Sequence, residues 1–134
     1  MPLSATLREI EINPSIIHIN WTNDVAYYLN LAHYFVFPSH REGFPNVLLQ
    51  AGAMGLPIIC SHITGNIDIV IHHETGLIFE SGNEEQMLIL LEYALAHPEH
   101  MNSMTLQLQK DITANYRQEN IWQKMLEAYK TLLN

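Results

Sequence analysis

Three short runs constrain this chain more than anything else in it: Tyr34-Phe35-Val36-Phe37, Pro57-Ile58-Ile59-Cys60 and Leu77-Ile78-Phe79. Each is apolar throughout, without the polar–apolar alternation of a strand that has one wet face. Such runs fit strands covered on both faces. Between and after them lie segments with apolar residues three and four apart, the spacing of helices packed on a core. Strands alternating with helices predict a parallel sheet with right-handed crossovers. The fold class expected is therefore α/β, a Rossmann-like parallel layer with a helical C-terminal segment.

Other elements follow the same logic. Ile16-Ile17-His18-Ile19 comes after the turn signal Asn13-Pro14 and reads as a further strand. Asp24 can cap a helix carrying Val25, Tyr28, Leu29 and Ala32. A helix is expected to begin at Pro45, continue through Ala51 and stop at Gly55. A short helix is expected over residues 66–72. Residues 84–96 form a helix with Met87, Leu90, Leu91 and Leu95 toward the core. A second helical segment starts at Pro98 with Met101, Met104 and Leu108. A third covers residues 118–133, with Ile121, Trp122, Met125, Leu126 and Tyr129 as its apolar face. Trp122 and Tyr129 share one side of it, which is either ordinary core or an exposed patch. No repeat, linker or low-complexity stretch interrupts the 134 residues, so residues 1–134 read as a single domain behind a loose start.

Charge narrows the function. Six basic against fourteen acidic side chains give a net charge of −8, which argues against a nucleic-acid or anionic-membrane surface. An anionic ligand would have to be held by local geometry. The single cysteine, Cys60, excludes an internal disulfide and any CxxC motif. In a strand it reads as a buried small hydrophobe before a nucleophile. No run reaches the roughly 18 apolar residues of a membrane helix, and residues 1–6 lack the pattern of a signal peptide. The expected location is the cytoplasm. Eight histidines raise the question of metal, but none sit at HxxxH spacing, and the adjacent His72-His73 reads as a surface pair.

Ligands of open α/β sheets bind beyond the carboxyl ends of the strands. The loop after Phe37, Pro38-Ser39-His40-Arg41-Glu42-Gly43-Phe44-Pro45-Asn46, offers a hydroxyl, an imidazole, a guanidinium and a carboxylate in succession. Gly43 lets a ligand approach the backbone, and the amides of a helix start favour an anion. Glu42 suits sugar hydroxyls better than a phosphate. On shape alone, a capped turn with Arg41 and Glu42 simply solvated explains the loop equally well. His62, after the second apolar run, is either a donor contact or a plain loop residue.

Residues 38–57, Pro38-Ser39-x-x-Glu42-Gly43-Phe44-Pro45-Asn46-Val47 through Gln50-Ala51-Gly52-Ala53-Met54-Gly55-Leu56-Pro57, resemble the signature of retaining GT-B glycosyltransferases of family 4, the glycosyl transferases group 1. Thr64-Gly65-Asn66-Ile67-Asp68-Ile69-Val70 and Glu74-Thr75-Gly76-Leu77-Ile78-Phe79 resemble the two motifs that follow it. The resemblance spans roughly residues 14–79 and rests on several motifs in order. It implies a C-terminal, nucleotide-sugar-binding GT-B domain in which Glu42 is the catalytic carboxylate that meets the donor sugar. The amides around Gly43, Phe44, Pro45 and Asn46 would meet the sugar and diphosphate. Ser39, His40, Arg41 and Gly65 are the further donor-binding candidates. The family's second glutamate, which holds the ribose, falls on Gln50, an uncharged residue still able to hydrogen-bond a diol; Asp68 replaces another customary glutamate.

The resemblance also implies partners. An N-terminal Rossmann domain would bind a glycan or lipid-linked acceptor, placing the full enzyme at the inner face of the membrane. Residues 16–19 align with the third strand of the family's C-terminal domain. The first two strands, with an arginine and a lysine that clamp the diphosphate, would then lie outside this chain. The function expected is sugar transfer from a nucleotide-sugar with retention, with no metal or other cofactor, and with this chain alone inactive. In a sheet ordered 3-2-1-4-5-6, residues 16–19 would either dock beside residues 34–37 or leave an edge through which the chain forms homo-oligomers. The alternative function is a truncated, catalytically silent α/β domain acting by self-association or partner binding.

Overall fold

The computed structural model describes residues 3–41, 45–116 and 130–131. Two helices, α1 (Leu3–Ile12) and α2 (Val25–Leu31), precede strand β1 (Phe35–Phe37). There follow α3 (Asn46–Ala53), β2 (Ile58–Ser61), α4 (Thr64–Ile67), β3 (Leu77–Phe79), α5 (Glu84–Ala96) and α6 (Pro98–Asn115). Most of the helix expected over residues 118–133, with Ile121, Trp122, Met125, Leu126 and Tyr129, lies outside the described residues.

The three apolar runs are the three strands, in the order β1-β2-β3 with both pairs parallel. β2 lies between the other two, Ile59 facing Val36 on one side and Leu77 on the other. Its side chains alternate between two cores. Ile58 and Cys60 pack with Leu48, Leu49, Leu56, Val70 and Leu29. Ile59 packs on the opposite face with Leu77, Phe79, Ala94, Met101 and Met104. α6 serves both, since Leu108 and Ile112 enter the first cluster and Met101 and Met104 the second. Covering both faces is the reason these strands carry no polar alternation. β1 is one of the two edge strands of this sheet, and Phe35, Val36 and Phe37 are only half-buried.

α3 is defined at both ends by residues visible in the sequence. It begins one residue later than expected, with Pro45 at the N-cap and fully buried. It ends in a Schellman turn: the Leu56 amide donates to the Ala51 carbonyl (3.1 Å) and the Gly55 amide to that of Gly52 (3.1 Å). Gly55 takes φ +81°, the left-handed conformation this turn requires.

Five expectations are corrected. Residues 16–19 join no sheet: Ile16, Ile17 and Ile19 are exposed, and an Asx turn in which Asn13 Oδ1 accepts from the Ser15 amide (2.9 Å) precedes them. A strand exists through its ladder, and an isolated apolar run has none, so neither these residues nor any other described segment docks on the outer edge of β1. Asp24 occupies the N-cap of α2 without a side-chain capping bond; its amide donates to Thr22 Oγ1 at 3.0 Å. The short helix lies at Thr64–Ile67, because the Thr75 hydroxyl takes the Ile71 amide (2.8 Å) and His73 adopts φ +64°, turning the chain before residue 72 can be helical. Leu95 points outward at 69% exposure, whereas Met87, Leu90 and Leu91 are half-buried as expected. The start of the chain, read as loose, forms α1.

Candidate functional site

In a parallel sheet every strand ends at the same edge, and the loops leaving that edge converge. Here the edge gathers residues 38–41 after β1, Ser61 and His62 at the end of β2, and residues 80–83 between β3 and α5. Ser39 is half-buried, with its Oγ 3.4 Å from the Arg41 carbonyl oxygen. His40 is exposed and reaches across to the β3 loop, its Nδ1 3.2 Å from Ser81 Oγ. Arg41 is exposed at the surface of the loop. Glu42, Gly43 and Phe44 lie outside the described residues.

Beyond them the chain enters α3. Asn46 and Gln50 are exposed one helical turn apart and border a groove of about 410 Å³ between α3 and α6, floored by Leu49, Ala53, Ile112 and Tyr116. A second cavity, about 380 Å³, opens beside His40 among Pro38, Phe79, Asn83, Glu84 and Met87. Gly65 is buried in α4. The structure thus brings Ser39, His40, Arg41, Pro45 and Asn46 to one edge, with Gln50 a turn further along α3.

Three residues not singled out in the sequence tie this edge together. Ser61, fully buried, donates its hydroxyl to the carbonyl of Ser39 and lies 3.4 Å from that of Phe37. Asn66, also fully buried, donates from Nδ2 to the Ser61 carbonyl at 2.9 Å and lies 3.4 Å from its Oγ. Ser81 meets His40 as described. The available signal was a serine at or just after the carboxyl end of each strand: Ser39, Ser61 and Ser81.

Among the titratable groups, Cys60 is buried in the first core, and burial pushes its thiol up to about 12. It is a packing residue, not a nucleophile. His72 is held below the ordinary imidazole value by partial desolvation of its ring and, secondarily, by His73. Its Nδ1 accepts from the Ile78 amide at 2.9 Å. His72 and His73 are both exposed, with ring centroids 4.3 Å apart. Among the described residues, no three histidine, cysteine or acidic side chains come together as a metal site. No helix of the described residues is long and apolar enough to cross a membrane.

Chemically, the edge presents a cation at Arg41, an imidazole at His40, hydroxyls, and a loop that runs into the N-terminus of α3. Such a surface is suited to a polyol carrying phosphates.

Over residues 2–111 the chain matches the family described as Glycosyl transferases group 1. It is 31% identical over 121 residues to the capsular polysaccharide biosynthesis glycosyltransferase CapM of Staphylococcus aureus, covering 90% of this chain and 32% of CapM. It is 30% identical over 128 residues to an uncharacterized glycosyltransferase of Haemophilus influenzae, covering 94% of this chain and 35% of that protein. The chain spans about a third of the length of these curated relatives. Among solved structures, sucrose-phosphate synthase from Thermosynechococcus elongatus superposes with a TM-score of 0.79 at 24% identity, over 98% of this chain and 33% of that one. HepE of Anabaena, solved in complex with UDP-glucose, gives 0.81 at 14% identity, over 96% of this chain and 36% of HepE. The C-terminal domain of LpcC from Francisella tularensis gives 0.75 at 19%, over 87% of this chain and 61% of that domain.

Proposed function

This chain belongs to the glycosyl transferases group 1 family and has the α/β layer of its GT-B C-terminal domains, and on that premise we propose that it forms the nucleotide-sugar-binding part of a retaining, family 4-type glycosyltransferase. The full enzyme passes a sugar to a glycan or lipid-linked acceptor, in the manner of polysaccharide assembly. One observation carries the reading: residues 38–41 leave the carboxyl end of β1, and Pro45 and Asn46 open α3, at the edge where open sheets bind ligands. The co-structure of HepE with UDP-glucose supports it.

In this reading Glu42 accepts hydrogen bonds from the donor sugar, and the amides of residues 43–46 meet the sugar and diphosphate at the helix start. Ser39, His40, Arg41 and Gly65 shape the pocket around them. Gln50, on the exposed face of α3, hydrogen-bonds the ribose diol without the charge a glutamate would bring. No metal takes part.

Calorimetric titration with UDP and a UDP-sugar tests these roles. Glu42→Ala weakens the UDP-sugar roughly tenfold or more while leaving UDP nearly unchanged, because a charge-assisted bond to the sugar alone is lost. Gln50→Ala weakens both by a similar, smaller factor, and EDTA changes neither. A Glu42→Ala chain that binds the UDP-sugar as tightly as the parent contradicts the assignment.

A second reading has its own observation. β1 is an edge strand of the described sheet, and the exposed Ile17, Trp21 and Leu31 precede it in the chain. Outer strands with apolar surroundings invite pairing, so a silent domain acting through association would sediment as a dimer and bind no nucleotide.

A further inference from the structure

The loop that begins at Pro38 is held by more than its own sequence. Ser61 closes β2 at a position that would otherwise be apolar, since Ile58, Ile59 and Cys60 before it are all buried hydrophobes. A hydroxyl has a single proton to give. Ser61 gives it to the Ser39 carbonyl, with the Phe37 carbonyl a more distant second acceptor at 3.4 Å. The rotor is set from behind by Asn66, whose amide donates to the Ser61 carbonyl and lies 3.4 Å from the hydroxyl oxygen. Asn66 thus holds the carboxyl end of β2, and Ser61 in turn holds the first residues of the loop.

Packing alone does not call for this arrangement. Asn66 Oδ1 is buried with no hydrogen-bond partner among the described residues, and an apolar side chain of similar size would fill the space without that cost. The asparagine's Nδ2 end is what distinguishes it from such a residue, and that end serves Ser61.

We propose that Ser61 and Asn66 are positioning residues that fix the backbone at Ser39 and thereby aim Ser39, His40 and Arg41 for the donor. This rests on the donor-binding reading above. Neither side chain is assigned contact with the ligand. Both act through the Ser39 carbonyl, and a loop freed at that point loses affinity for the diphosphate and the sugar together.

The test compares Ser61→Ala, Ser61→Thr and the parent chain, each followed by NMR first without ligand and then with UDP. In Ser61→Ala the amide resonances of Ser39, His40 and Arg41 shift and their order parameters fall without ligand. UDP then binds roughly three- to tenfold more weakly, the loss expected for one hydrogen bond. Ser61→Thr, which keeps the hydroxyl, restores the resonances and the affinity, an outcome that general loosening of the core would not produce. Asn66→Asp, which replaces the donor by an acceptor, reproduces the Ser61→Ala shifts at Ser39. Unchanged Ser39–Arg41 resonances in Ser61→Ala overturn the proposal, as does a loss of affinity that threonine fails to rescue. If the parent chain itself does not bind UDP, the donor reading has failed, and the ligand-free spectra still decide whether Ser61 holds the loop.

Discussion

At the scale of single residues, His72 shows how a local contact becomes a property of the whole chain. Partial desolvation and the neighbouring His73 lower its affinity for a proton in the folded state, and its Nδ1 lone pair is engaged by the Ile78 amide. The unfolded chain therefore binds more protons near this site, so stability rises with pH across the window. The contribution is complete above the ordinary imidazole value of about 6.5 and is lost as pH falls below it toward the lowered folded value. Urea unfolding at pH 7.5 and pH 5.5 should show the parent chain less stable at the lower pH. His72→Gln should show a smaller difference between the two. Equal differences in both chains would remove His72 from the account.

At the scale of elements, the contact of α3 with α6 depends on a missing side chain. A Cβ placed on Gly52 would lie 2.5 Å from Ile112 Cδ1 and 3.1 Å from Leu108 Cδ2. The two helices approach closely because residue 52 has no side chain, and Leu108 and Ile112 fill that space within the first core. Gly52→Ala should destabilise the fold by about 1–2 kcal/mol, toward the lower end for overpacking because the nearest atom is the mobile tip of an isoleucine. Ile112→Val removes that tip, so the double variant should be less destabilised than the sum of the two single changes. Simple additivity would mean that the helices separate by another route.

At the scale of the molecule, legibility tracked the range of the forces involved. β1, β2 and β3 were readable because a strand covered on both faces must be apolar at every position, and such runs are short and unbroken. α3 and α6 were readable from end signals next to them in sequence, Pro45 and Gly55 for the one and Pro98 for the other, and α5 from the spacing of Met87, Leu90 and Leu91. Residues 16–19 misled because an exposed apolar run and a buried one look alike until a partner strand is found. The turn through His73 depends on a Thr75 hydroxyl and a left-handed backbone, neither of which composition reveals. The site divides in the same way. The loop from Ser39 to Asn46 declared itself as contiguous chemistry, whereas Ser61 meets Ser39 across twenty-two residues and His40 meets Ser81 across forty-one. Those links arise only when parallel strands bring their carboxyl ends together.

Whether this edge binds a nucleotide-sugar is read by an NMR amide-shift titration of the chain with UDP, GDP and a UDP-sugar. Saturable shifts are expected for at least one nucleotide, concentrated on residues 39–50 and extending to Ser61 and Gly65, with the sugar adding shifts around Glu42. Absence of shifts at millimolar ligand, or shifts centred on the β1 outer edge or the His72–His73 turn, would contradict binding at this edge.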